Sequence, residues 1–195
     1  MGRYGMYMPN ALAQGTACLV AFGWLLAWST VHSQTSPPGK YGIGQAATDR
    51  AISAWNIDVS PTGEGLPPGR GTAKDGAPIY AAKCASCHGA TGVEGPMPRL
   101  VGGRGTLGTD HPVKTVGSYW PYATTVYDYV HRAMPYTAPQ SLTPDETYAV
   151  TAWLLYQNGI LSDDAILDAS TLPAVQMPNR NGFVSDPRPD VSGSK

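Results

Sequence analysis

Residues 84–88 read Cys-Ala-Ser-Cys-His, and no other feature constrains the chain as strongly. Two thiols two residues apart, followed at once by an imidazole, form the CxxCH pattern of c-type haem attachment. Chemistry explains the spacing. The thiols add across the two vinyl groups of a haem, about one helical turn apart, and the histidine turns a ring nitrogen to the iron. With three cysteines and four histidines in 195 residues, the pattern arises by chance in about one such chain per thousand. The competing reading is a redox disulfide with an incidental histidine, and no βαβ pattern surrounds the motif to support it. Cys84 and Cys87 are therefore expected to anchor one covalent haem c, with His88 as an iron ligand.

A sixth ligand must be found elsewhere. A thioether raises the reduction potential and closes the iron to outside ligands. Met97, Met134 and Met177 each precede a proline. Met97 follows His88 closely and belongs to the proximal loop, and Met177 lies beyond the last predicted helix. Met134 ends a predicted helix and opens an irregular stretch, where a chain can turn a side chain onto the other haem face. Met134 is the expected ligand, with Met97, Met177, His111 and His131 as alternatives. Arg104 and Trp120 are candidates to hydrogen-bond the haem propionates; the plainer roles are a surface arginine and a core tryptophan. Gly102-Gly103-Arg104-Gly105 lacks the strand, helix and Lys-Ser/Thr ending of a phosphate loop and reads as a turn.

The N-terminus suggests export. Residues 1–33 carry one formal charge, Arg3, and an apolar run from Ala17 to Trp28. They read as a signal peptide cut after Ser33, which places the mature protein in the periplasm. The run is short for a span of about 20 residues; membrane attachment would require an uncleaved anchor reaching from Ala11 to Val31. The formal net charge of −1 offers no basic surface for nucleic acid.

The chain contains 23 Gly and 18 Pro, which argues for long irregular segments around a smaller core. Residues 34–71 read as an extended arm with an apolar island at Trp55, residues 72–161 as the haem domain, and residues 162–195 as an irregular tail. Within the domain, Asp75 is the expected N-cap of a helix with Pro78 in its first turn, continuing to His88. A second helix covers 122–133, with Val126, Tyr129, Val130 and Ala133 on one face. The third opens on the capping box Thr143-Pro144-Asp145-Glu146 and stops at Asn158-Gly159. No strand pattern stands out, so the fold class is all-α. With 11 Tyr and only 2 Phe, the core is expected to contain hydroxyls that need partners.

Gly76, Ile79-Tyr80, Cys84-x-x-Cys87-His88, Pro98-x-Leu100, Met134-Pro135 and an aromatic-bearing last helix resemble a class I cytochrome c over residues 72–161. The resemblance implies that the Pro98 carbonyl fixes the His88 ring and that the Gly76/Tyr80 helix crosses the last helix near Trp153. A narrower resemblance rests on Ala54-Trp55-Asn56-Ile57-Asp58-Val59 and Gly65-Leu66-Pro67-Pro68-Gly69 in the arm. It continues through Gly117-Ser118-Tyr119-Trp120-Pro121-Tyr122-Ala123 and Arg132-Ala133-Met134-Pro135 in the core, and Met177-Pro178-Asn179-Arg180-Asn181-Gly182-Phe183 in the tail. These segments are similar to the cytochrome subunit of sulfane dehydrogenase (SoxD) from the Sox sulfur-oxidation system. Two-haem members carry a second CxxCH, which this chain lacks.

The resemblance implies an electron-transfer subunit with no catalytic site of its own. It would take electrons from a molybdenum-cofactor dehydrogenase subunit that oxidises sulfane sulfur or sulfite, and pass them to a soluble cytochrome c. The alternatives are a free-standing periplasmic shuttle and a haem enzyme such as a thiosulfate dehydrogenase. The last would need an open sixth position or a spare mature cysteine.

Overall fold

The computed structural model describes residues 44–186 and Arg188. The expected signal segment, the start of the arm and the end of the tail lie outside the described residues. Residues from Ala47 onward form one compact unit.

The arm contains a helix that the reading of it as extended chain did not foresee. α1, Asp49–Trp55, is capped by Thr48, whose side chain accepts the Ala51 N–H. The neighbouring glycines and prolines lie outside this run, so nothing in it breaks a helix. None of its residues is buried. The arm then turns inward at Val59, which is 5% exposed. β1, Arg70–Gly71, pairs antiparallel with β2, Leu167–Asp168. Strands of two residues carry no alternation to read, which is why the sequence showed none.

α2, Ala73–Lys83, starts earlier than expected because Thr72, not Asp75, is its cap. Thr72 Oγ1 accepts the Asp75 N–H at 3.2 Å and the Asp75 carboxylate accepts the Thr72 N–H at 3.0 Å. The two satisfy each other's free donors as a capping box. Pro78 consequently sits inside the helix rather than in its first turn, leaving the Lys74 carbonyl without its helical donor. The expected continuous helix to His88 also divides. Cys84 leaves helical geometry (φ −123°, ψ −35°), and α3, Ala85–His88, follows as a single turn.

α4, Ala123–Ala133, buries Ala123, Val126, Tyr127 and Val130. The apolar face is thus rotated from the expected one: Tyr127 is fully buried and Tyr129 is 48% exposed. α5, Pro144–Gln157, has the predicted Thr143–Glu146 capping box. Thr147 through Leu155 are all buried, so α5 is the central helix and not one with a single apolar stripe. Lys83 Nζ meets Glu146 Oε1 at 2.8 Å, tying the end of α2 to the start of α5.

The α2–α5 crossing holds the domain together. A Cβ on Gly76 would lie 2.0 Å from the Ala149 carbonyl oxygen, so only glycine permits this approach. One turn on, the Tyr80 and Trp153 rings stack at 3.6 Å. The tail closes over the other side through buried Leu172, Val175 and Met177, with a short 3₁₀ turn at Leu172–Ala174. Two of the buried tyrosine hydroxyls find carbonyls, Tyr80 OH donating to Gly89 O at 3.0 Å and Tyr148 OH to Pro67 O at 2.9 Å, while the Tyr127 hydroxyl has no partner within the described residues. Among the described residues no helix is long and apolar enough to cross a membrane.

Candidate functional site

The kink at Cys84 aims the motif. Cys87 and His88 both donate backbone N–H to Cys84 O, at 3.1 and 3.0 Å, which winds α3 into one tight turn. Cys84 is half-buried and Cys87 exposed, and both are free thiols. Burial pushes the Cys84 thiol up to about 11, so it is neutral at pH 7. His88 Nδ1 lies 3.0 Å from Pro98 O. With the proton on Nδ1, that bond fixes the ring and leaves Nε2 as a free lone pair for a metal.

The loop between His88 and Pro98 folds back on the motif. The Met97 N–H donates to Cys87 O at 3.0 Å, and the Leu100 N–H to Gly92 O at 2.8 Å. A Cβ on Gly95 would lie 2.1 Å from Cys87 O, so this return also requires glycine. Thr91 and Glu94 hydrogen-bond across the turn.

Met134 is the C-cap of α4 and its backbone is extended (φ −117°, ψ 149°); a cis peptide bond joins it to Pro135. Its side chain is partly buried against the core, as are Cys84, Ala85, Leu100, Trp120 and Ile160. The other methionines differ. Met97 is 52% exposed on the proximal loop, and Met177 is 3% exposed within the core. Among the histidines, His111 is exposed and His131 half-buried, with its Nδ1 buried and unpartnered within the chain.

Trp120 is half-buried and stands edge-on to Tyr129, ring centroids 5.8 Å apart. Arg104 is exposed and its Nη2 donates to Asn158 O at 3.2 Å, at the end of α5. Asn158 was read only as a stop signal, yet it ties the loop to α5. Its Oδ1 accepts the Gly102 N–H at 3.0 Å and its Nδ2 donates to Leu100 O at 3.2 Å. No spacing in the sequence announces that role.

This donor set fits a haem. It offers two free thiols one turn apart and an imidazole oriented by a carbonyl, and Met134 is a partly buried thioether on the same core. Among the described residues no group of three or more His, Cys, Asp or Glu side chains could hold a bare metal ion.

A family model described as cytochrome C oxidase, cbb3-type, subunit III matches residues 71–154. No curated protein matches the chain. Among solved structures, the sulfane dehydrogenase SoxCD from Paracoccus pantotrophus matches with a TM-score of 0.71 and 49% identity, covering 79% of this chain and 76% of that chain. Fold and domain match define a class I cytochrome c, a haem protein that transfers electrons. The identity extends well beyond the haem domain. The chain belongs to the family of the SoxD-like cytochrome subunits.

Proposed function

We propose that this chain is the monohaem electron-transfer subunit of an exported sulfur-oxidising dehydrogenase. In this reading it takes electrons from a molybdenum-cofactor subunit and delivers them to a soluble cytochrome c. The carrying observation is the 49% identity over 79% of the chain, which includes segments outside the 71–154 domain match. A cytochrome sharing only haem chemistry would match in the domain alone. Residues 1–33 act as the export signal, 34–71 as the arm, 72–161 as the haem domain and 162–195 as the tail. The sulfur substrate is chosen by the partner.

Cys84 and Cys87 would hold the cofactor through their two free thiols. His88 presents Nε2 to the iron while Pro98 O holds Nδ1. Met134, partly buried at the C-cap of α4, would be the second protein ligand of the iron. Trp120 and Arg104 are our candidates to donate to the propionates; Arg104 also donates to Asn158 O. When bound, haem supplies reversible one-electron chemistry at its iron. The protein's part would be to hold His88 and Met134 in place in both oxidation states.

Two measurements check the site. Acid-acetone extraction is expected to leave one haem on each chain, with a pyridine haemochrome spectrum of two thioether links; extractable haem, or two equivalents, contradicts the anchoring. Met134→Ala is expected to abolish the weak far-red sulfur-to-iron band of the ferric protein. It should also lower the potential by on the order of 0.1 V, within the roughly 0.8 V that axial ligands command. Loss of the band in Met97→Ala or Met177→Ala instead would reassign the ligand.

A free-standing shuttle is the second reading, favoured by one observation: Val59 and Met177 are buried on the chain's own core, so arm and tail are not wholly available to a partner. Purification from the native source decides. A complex containing molybdenum alongside iron supports the subunit, and a lone cytochrome supports the shuttle.

A further inference from the structure

The side of α4 facing the arm carries a row of polar groups that the haem site does not use. Thr124, Asp128 and Arg132 stand four residues apart, on one side of the helix. Each reaches the arm. Thr124 Oγ1 donates to Pro61 O at 3.1 Å. Asp128 Oδ1 accepts the Val59 N–H at 2.9 Å across 69 residues of sequence. Arg132 Nη1 lies 3.2 Å from Asp58 Oδ1, and its Nη2 pairs with Asp128 Oδ2. Asp128 is 7% exposed. A carboxylate so deeply placed requires partners, and here one oxygen takes the arm and the other the arginine.

The location of the row gives it a consequence. α4 has no side-chain hydrogen bond at its N-cap, Tyr122, so its ends are free of the boxes that fix α2 and α5. Its C-cap is Met134, two residues beyond Arg132. Whatever fixes the last two turns of α4 also fixes where that methionine starts.

We infer that Asp128 is a positioning residue for Met134: by clamping α4 to Asp58 and Val59 of the arm, it sets the reach of the distal sulfur. The inference rests on the reading of Met134 as the iron ligand. Thioether–iron bonds are weak enough that a nitrogen ligand competes when the sulfur is held less firmly. Charged hydrogen bonds of this kind contribute enough that losing one changes an equilibrium about tenfold.

The test uses the full haem-loaded chain in the ferric state, with imidazole as the competing ligand. Asp128→Asn keeps an acceptor for the Val59 N–H and gives up the charged pair. Arg132→Gln, at a more exposed position, keeps the Asp128–Val59 bond and serves alone if Asp128→Asn does not fold. Each variant is expected to bind imidazole about tenfold more tightly than the parent chain and to show a weakened far-red band. A lower melting temperature with band, potential and imidazole affinity unchanged is the outcome of a purely structural clamp, and it overturns the inference. Met134→Ala separates the two levels. If it retains the band, the ligand reading itself fails and the clamp with it. If it loses the band while the clamp variants match the parent, only the clamp fails.

Discussion

Gly76→Ala is expected to prevent the accumulation of folded cytochrome. In an isolated helix this exchange is favourable by about 1 kcal/mol, because alanine loses less backbone entropy than glycine. The local gain is outweighed. The new methyl would sit 2.0 Å from the Ala149 carbonyl oxygen and 2.5 Å from its carbon. Both are backbone atoms of the central helix, so no rotamer change relieves the clash. Overpacking typically costs about 1–3 kcal/mol when side chains can adjust, and here α2 would have to move away from α5. That movement also parts the Tyr80–Trp153 stack, whose Trp153 is 6% exposed. Against a total stability of about 5–15 kcal/mol, the expected loss is most of the fold. Haem content per chain and the yield of soluble protein measure it. A Gly76→Ala chain that melts at the parent temperature would show that the crossing is not as close as described.

Shortening the arm in two steps is expected to give two different results. A chain beginning at Ile57 loses α1, none of whose residues is buried, and its melting temperature should stay close to that of the parent. A chain beginning at Gly71 also loses Val59 and Leu66. Full burial of such side chains contributes about 1.5–3 kcal/mol each. Leu66 is only half covered, and deletion relieves some ordering cost, so the net loss should be about 2 kcal/mol. At this length that is a drop of roughly 4–8 °C in Tm. Equal melting temperatures for the two shortened chains would remove the stabilising role of residues 57–70.

Those results bear on what could be read before the fold was known. The haem pentapeptide and the Thr143 box were legible because each is a local pattern whose chemistry fixes its spacing. The crossing of α2 over α5 was legible only through family resemblance, since nothing local in Gly76 names Ala149 as its neighbour. The helix at Asp49–Trp55 was missed because the Gly and Pro around it dominated the reading, although Thr48 is an ordinary cap. Tyr129 was read onto the buried face and is exposed, while Tyr127, on which nothing was read, is buried; both are aromatic, and the face of α4 is set by its neighbours more than by composition. Asp128 was invisible. A lone acid in a helix usually points to water, and only the return of Val59 from far along the chain gives it a buried partner.

The same long reach has a consequence for how the protein is made. Residues 57–71 leave the ribosome early, yet Val59 waits for Asp128 and Arg70 for Asp168. The arm's contacts therefore form in two stages, Val59 once Asp128 is present and Arg70 only once Asp168 is. Throughout that interval the segment carrying Cys84 and Cys87 is already made but not yet covered. Under the proposed function, a cofactor joined to the half-buried Cys84 thiol would meet the chain while it is still open.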